Sequence, residues 1–520
     1  MDESPETRPH VNPWLVAVAV MFGTFMEVLD TTVVNVSLPH IAGSLSATIE
    51  EATWVLTSYL VANAIVLPLT GWLANFFGRK RMLLTAVAGF TISSLLCGLA
   101  PSLPLLVFFR VLQGLCGGSL QPLSQAVLLE TFPAEKRGAA MGFWGLGIVV
   151  APILGPVLGG WVTDSYSWRW VFYINIPVGI ASMLMIQEFI FDPHYIKRAT
   201  SRIDYWGIGM LAVAIAALQI ALDKGQQEDW FSSNWITSLV VVSAVMLAVF
   251  LIYELRTPHP VVNLRVFKNA TFRTGTLMMT LLGFGLYGGL VLLPIMLQTL
   301  LGYPAYEAGM ATSPRGIGSF IAMPLVGFIM AKLDPRKLLA IGLTATGMTY
   351  FMFARMNLDV GYWNIFWPQI IQGTALALVW VPLTTSTMDP IPREEMGNAT
   401  SIYNLMRNLG ASVGIATVTT LLARRQQVHL NVLSARINAY DRPPAVFLEG
   451  IRNGLIRGGV DVFTATRQSY AALNGVVQRH AAMLTFVEIY WILGAVFIVM
   501  IPLILLMRRP TRAGAPVAVE

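Results

Sequence analysis

The stretch FMEVLDTTVVNVSLP, residues 25–39, sets two carboxylates, Glu27 and Asp30, in a run otherwise apolar enough to lie in lipid. An ionised acid at that depth costs roughly 2.5–3.5 kcal/mol even on the most lenient insertion scale, so such acids normally face a protein interior or a cavity. At i and i+3 of a helix the two lie on one face with Thr31 and Val34, where they can share a cavity. Burial favours the protonated form of a carboxylate and a neighbouring cation favours the charged form. An acid held between those influences can take up and release a proton in the working pH range. Arg110, in the fourth apolar run, is the cation available nearby in the chain's first half. Two readings stand: proton coupling through Asp30, Glu27 and Arg110, or a structural ion-pair cluster that fixes helix packing. Thr31, Gln113, Asn404 and Arg407 are candidates for the lining of a substrate cavity, with helix packing the alternative for Arg407.

The elements that must hold these groups follow from composition. Of 520 residues, 55% are hydrophobic and 12% charged, with mean hydropathy +0.64, which excludes a water-soluble globular protein. Fourteen apolar runs, from 14–37 to 482–507, are each long enough to cross about 30 Å of hydrocarbon as a helix. The first is too long and polar-spotted for a signal segment, so it is expected to remain in the mature chain. Basic residues concentrate in alternate connections, as in Arg79, Lys80 and Arg81, Lys136 and Arg137, Lys332, Arg336 and Lys337, and Arg508, Arg509 and Arg512. That asymmetry predicts both termini on the cytoplasmic side. The net charge of +6 therefore describes topology, and no nucleic-acid partner is expected. Cys97 and Cys116 read as small apolar packers, and six scattered histidines offer no metal-ligand spacing. No phosphate-binding glycine loop occurs, so ATP is not the expected energy source, and no nucleophile beside a base suggests an enzyme.

Self-comparison gives the architecture. LANFFGRK at 73–80 matches MAKLDPRK at 330–337, offset 257; LQGL at 112–115 matches IQGT at 371–374, and PAEKRGAA at 133–140 matches PREEMGNA at 392–399, both offset 259. The chain thus reads as an all-α membrane protein of two parallel six-helix bundles, 14–191 and 271–507, with two inserted helices in 204–254. Residues 1–13 and 508–520 are read as tails, 192–203 and 255–270 as linkers, and 424–481 as a long outer loop in the second bundle, with helical flanks expected around a Pro443-Pro444 turn. The repeat is chemically lopsided. Arg110 has Gln369 as its counterpart, and the ninth run carries no acid between Gly275 and Thr299.

Two further stretches bear on motion. APILGPVLGGW, 151–161, loads one span with Pro152, Gly155, Pro156, Gly159 and Gly160, where small residues permit close helix approach and proline opens the hydrogen-bond ladder. GWLANFFGRKRM, 71–82, is a tight turn with Gly71 and Gly78 at its ends and three consecutive cations from Arg79.

With LDTTVVNVSLP, GWLANFFGRKR, RVLQG, APILGPVLGG and WRWVFYINIPVG in hand, the chain resembles the fourteen-span drug:proton antiporters of the major facilitator superfamily. TWVLTSYLVANAIVLPLTGWLA and LALVWVPLTTST resemble in particular the Emr-type inner-membrane subunits of tripartite multidrug pumps. The resemblance implies the major facilitator fold, coupling at Asp30, proton transfer at Arg110 and an export role for the glycine–proline span. It implies a multi-pass protein of the bacterial inner membrane, driven by the proton gradient without a cofactor and exporting lipophilic toxic compounds. It also implies a periplasmic adaptor and an outer-membrane channel engaged through 424–481, a segment that a simple cavity cover would equally explain. Asn75 departs from the family pattern, which usually has an acid there, so a charge-based latch at that position is not expected. A dedicated exporter of one metabolite, such as a siderophore, fatty acid or pigment, and a non-transporting scaffold or receptor are the rival expectations.

Overall fold

Asn12 opens the first helix: its side chain accepts from the Trp14 N–H at 3.0 Å, and Pro13, at the first helical position, has no N–H to satisfy. From there the computed structural model describes residues 12–192, 204–258, 260–330, 332–437 and 442–507, except for the side chains of Ile153, Pro156, Ala305 and Tyr306. The expected tails at 1–11 and 508–520, the linker 193–203 and the expected role of the Pro156 ring lie outside that description.

Among the described residues every regular element is helical. The spans are α1 (Pro13–Ser44), α2 (Ile49–Phe77), α3 (Arg79–Leu99), α4 (Leu103–Thr131), α5 (Ala134–Ser165), α6 (Trp170–Phe189), α7 (Tyr205–Lys224), α8 (Asn234–Arg256) and α9 (Ala270–Leu300). They continue with α10 (Pro314–Ile329), α11 (Pro335–Phe353), α12 (Tyr362–Met388), α13 (Arg393–Ala435) and α14 (Val462–Leu506). All but α10 and α11 are long and apolar enough to cross a membrane by length and composition alone. The 16-residue α10 is preceded by the short helix Ala305–Thr312, and the 19-residue α11 starts with Arg336 and Lys337; these two complete the alternating run of fourteen.

The pairing of helices repeats. In the first half α1 packs on α5 and α6, α2 on α4, and α3 on α4 and α6; in the second, α9 packs on α13 and α14, α10 on α12, and α11 on α12 and α14. The inserted α7 and α8 pack on each other, and α7 also touches α2 of one half and α13 of the other. Asp223 and Lys224 hold α7 to Thr57 and Thr53 of α2, while Gln219 accepts from Ser412 of α13 at 3.0 Å. The insert therefore lies along the seam.

The halves meet at the end where the basic connections lie. The end of α2 and the second part of α4 pack on α13, and α5 packs on α10 and α12. These contacts are backbone-close because glycines allow it: a Cβ on Gly71 would stand 2.6 Å from the Asn398 backbone, one on Gly142 2.5 Å from the Met323 carbonyl, and one on Gly327 2.8 Å from Ala139. Arg137 of α5 faces Asp389, just past α12, at 4.0 Å. The two halves are closed against each other at this end.

Segment 424–481 is more regular than a loop. Helix α13 runs on to Ala435, α14 begins at Val462 behind its Asp461 cap, and Arg442–Arg457 forms a helix of its own. No proline interrupts either long helix over these stretches, so each continues beyond its apolar part.

Candidate functional site

Asp30 and Glu27 share a helix face but not a cavity. Asp30 points into the first bundle and is 1% exposed. Its Oδ2 accepts from Arg110 Nη1 at 2.6 Å, and its Oδ1 from Gln113 Nε2 at 3.0 Å and Asn175 Nδ2 at 2.7 Å. Arg110 is fixed in turn: Nη1 reaches Gln113 Oε1 at 2.8 Å, Nε donates to the Val55 carbonyl at 3.0 Å, and the guanidinium lies 4.1 Å from the Tyr59 ring centre. Asn175 also donates to Ser94 Oγ at 3.0 Å. Donors from α4 and α6 thus meet the Asp30 carboxylate of α1, and α2 and α3 hold those donors in turn. Both Asp30 oxygens are answered, while Arg110 Nη2 stays buried without a partner, so the attraction within the pair has to offset the desolvation of both ions.

Glu27, one helical turn earlier, turns toward the seam. Asn63 of α2 donates to its Oε1 at 2.9 Å. Its Oε2 is buried and makes no hydrogen bond, although Gln121 and Arg407 are close enough to act on the carboxylate. Arg407 of α13 reaches Gln121 of α4 with Nη2 at 2.5 Å and lies 5.4 Å from the Trp380 ring centre. A turn away, Asn404 donates to Gln125 of α4 at 2.7 Å. These two bonds join the halves at mid-depth, and Glu27 sits beside them.

The sequence-derived candidates therefore separate into two groups. Asp30, Arg110 and Gln113 form the intra-bundle cluster, and Gln113 belongs to that ion-pair network rather than to a cavity wall. Glu27, Asn404 and Arg407 gather at the seam. Thr31 is half-buried and its hydroxyl bonds back to the Val28 carbonyl at 2.8 Å, so it joins neither group. Asn63, Gln121, Gln125 and Asn175 went unnoticed in the sequence. Uncharged amides inside apolar runs were the available signal, since a buried amide needs partners.

The motion-related residues take distinct places. Gly155 and Gly159 seat α5 against Thr32 and Val33 of α1, where a Cβ would collide, whereas Gly160 faces open space and Pro152 is half-buried. Gly78 has φ +89, a backbone that favours glycine, and its Cα side packs on Asp192. Arg79 is buried and pairs with Glu130 at 2.6 Å, against Gly397 of the other half. Asn75 is half-buried at the end of α2.

In the second half the equivalent core is uncharged at the matching positions. Gln369 and Gln372 stand where Arg110 and Gln113 stand at offset 259, and the Tyr350 hydroxyl, donating to the Gly285 carbonyl at 2.9 Å, lies where a side chain at Gly289 would project.

Comparison with known proteins agrees with this architecture. The Major Facilitator Superfamily model matches residues 20–415. The chain is 37% identical over 503 residues to the multidrug export protein EmrB of Escherichia coli (strain K12), covering 96% of each. It is 38% identical over 504 residues to the fatty acid resistance protein FarB of Neisseria gonorrhoeae, covering 96% of this chain and 97% of that one. The crystal structure of the human organic anion transporter MFSD10 (TETRAN) superposes with TM-score 0.61 at 13% identity, covering 96% of this chain and 100% of that one, a likeness of fold alone. On the repeat, the helix pairing and these relatives together, the chain belongs to the Major Facilitator Superfamily and to its fourteen-helix, EmrB-type branch.

Proposed function

We propose that the protein is a proton-coupled antiporter that exports hydrophobic or amphipathic toxic compounds, multidrug efflux, across the bacterial inner membrane, with both termini cytoplasmic. The observation that carries this reading is the division of labour in α1: Asp30 is locked to Arg110 inside one bundle, while Glu27 keeps an unpaired oxygen at the seam between bundles. In this scheme a proton arriving from outside enters at the seam by Glu27, whose carboxylate has no cation bonded to it. Transfer to Asp30 then removes the charge that holds Arg110, and the helices gathered on Asp30 are free to shift. Cargo in the seam and a proton on Glu27 exclude one another, which is what exchange requires. The closed basic end supports reading this conformation as outward-facing.

One charge moving inward down about 150 mV supplies about 3.5 kcal/mol, since each 100 mV is worth about 2.3 kcal/mol, enough for a gradient of roughly several hundredfold. No cofactor is required. The names of the relatives support export of toxic compounds, and the projecting helices of 424–481 support a periplasmic adaptor and outer-membrane channel as partners. The test is a pH-jump assay in proteoliposomes with a panel of lipophilic dyes. Wild type accumulates dye against its gradient, and Asp30→Asn does not. Full uphill export by a normally folded Asp30→Asn protein would sink the scheme.

A further inference from the structure

We propose that the second half binds an anionic phospholipid at its basic end, with the phosphate between Arg336 and Lys337 and an acyl chain along Ile501, Ile504 and Leu505. The internal repeat makes the case. In the first half the start of α3 is neutralised by the protein itself: Arg79 pairs with Glu130, Lys80 Nζ donates to the Gln187 carbonyl at 2.5 Å, and Asp192 accepts from the Lys80 N–H at 2.9 Å. Gln187 and Asp192 come from the end of α6, so that helix end delivers both acceptors.

At offset 257 the same two positions at the start of α11 are Arg336 and Lys337. The helix end that flanks them is that of α14, Ile501–Leu506, and it offers no acid and no polar side chain. Among the described residues, Arg336 and Lys337 border a crevice of about 430 Å³ lined also by Ala340, Ile501, Ile504 and Leu505, with Pro502. Arg336 Nε is buried there without a hydrogen-bond partner. Among the described residues neither cation has an acid within ion-pair distance. Asp334 is spent on capping, accepting from the Arg336 N–H at 3.0 Å. Asp389, which follows Glu130 by offset 259, faces Arg137 of the other half instead.

Two cations at the bilayer edge beside an apolar wall match a lipid phosphate with its chain, and basic pockets between spans are the recognised form of such sites. Leu505 is 82% exposed, which leaves it free to meet acyl chain. A free phosphate would use the same cations but gain nothing from that wall.

The experiment is native mass spectrometry of the full chain, delipidated and titrated with dioleoylphosphatidylglycerol or dioleoylphosphatidylcholine. The first phosphatidylglycerol should bind at least about tenfold more tightly than phosphatidylcholine, a margin that Arg336→Gln/Lys337→Gln removes. Arg273→Gln, an exposed cation elsewhere at the same end, should leave it within about twofold. Leu505→Ala, which shortens the apolar wall without placing a charge in the bilayer, should weaken the lipid several-fold, and millimolar inorganic phosphate should not displace it. Equal affinity for the two lipids, an unchanged double variant, or displacement by inorganic phosphate would each overturn the assignment.

Discussion

Glu27 and Asp30 are three residues apart on one helix, and the surrounding fold gives them opposite circumstances. Asp30 has three side-chain donors from two other helices, one of them a cation whose own hydrogen bonds fix it further. Glu27 has one neutral donor, a bare oxygen and a position next to the bonds that tie the halves together. The difference is one of constraint. A saturated carboxylate holds a bundle in shape, whereas an under-satisfied carboxylate at a moving seam can exchange partners.

The largest effect that would sharpen this contrast comes from Arg110→Leu. Asp30 would be left buried without its cation, and breaking such a pair typically costs about 3–5 kcal/mol. A strongly lowered melting midpoint in detergent is expected, and an unshifted midpoint would break the comparison on the Asp30 side. Next, Arg407→Leu removes the bond from α13 to Gln121, a hydrogen bond to a charged group worth about 1.5–3 kcal/mol. The expected result is a shift toward separated halves in spin-label distances measured across α4 and α13.

Glu27→Gln should matter little for stability, within about 1 kcal/mol, because Gln keeps an oxygen for Asn63 and buries no charge. It should nevertheless remove the pH dependence of cargo binding, measured by dye fluorescence between pH 5.5 and about 8. A pH profile identical to wild type would show that the seam acid is a bystander.

The smallest effect is expected at Asp389. Burial raises its pKa above the ordinary Asp value, with Arg137 pulling it down. A raised acid favours the folded, protonated form below its unfolded pKa, and that advantage is lost as pH rises through the folded value. The charged contact to Arg137 follows the opposite course: it is present at higher pH and lost on acidification earlier than for an exposed Asp. At 4.0 Å and partly exposed, the contact is worth at most about 1 kcal/mol. Asp389→Asn should therefore change the closed population at the basic end about fivefold at most, read by cross-linking between introduced cysteines in α5 and α12.

Some of this was legible from residues alone. Apolar runs long enough to span lipid must become helices, because no water is present there to satisfy an open backbone. The offset of 257–259 between LANFFGRK and MAKLDPRK, and between PAEKRGAA and PREEMGNA, announced two like bundles, and the helix pairings repeat accordingly. That a carboxylate of the first span would pair with Arg110 was also readable, since Arg110 is the cation available within the apolar runs of that half. Gln113 was misread as cavity lining because spacing does not say which side of α4 meets α1. Asn175 and Gln121 were missed because amides carry no charge to draw attention.

What the sequence determined by itself is the set of spans, the twofold plan and the concentration of buried charge in the first half, all of which follow from local composition and repetition. Only the tertiary structure decided that Glu27 and Asp30 part company, that α7 lies along the seam, and that Arg336 and Lys337 go unanswered where Arg79 and Lys80 are answered. Those outcomes depend on which helix stands opposite which, a relation between residues more than a hundred positions apart that no local pattern encodes.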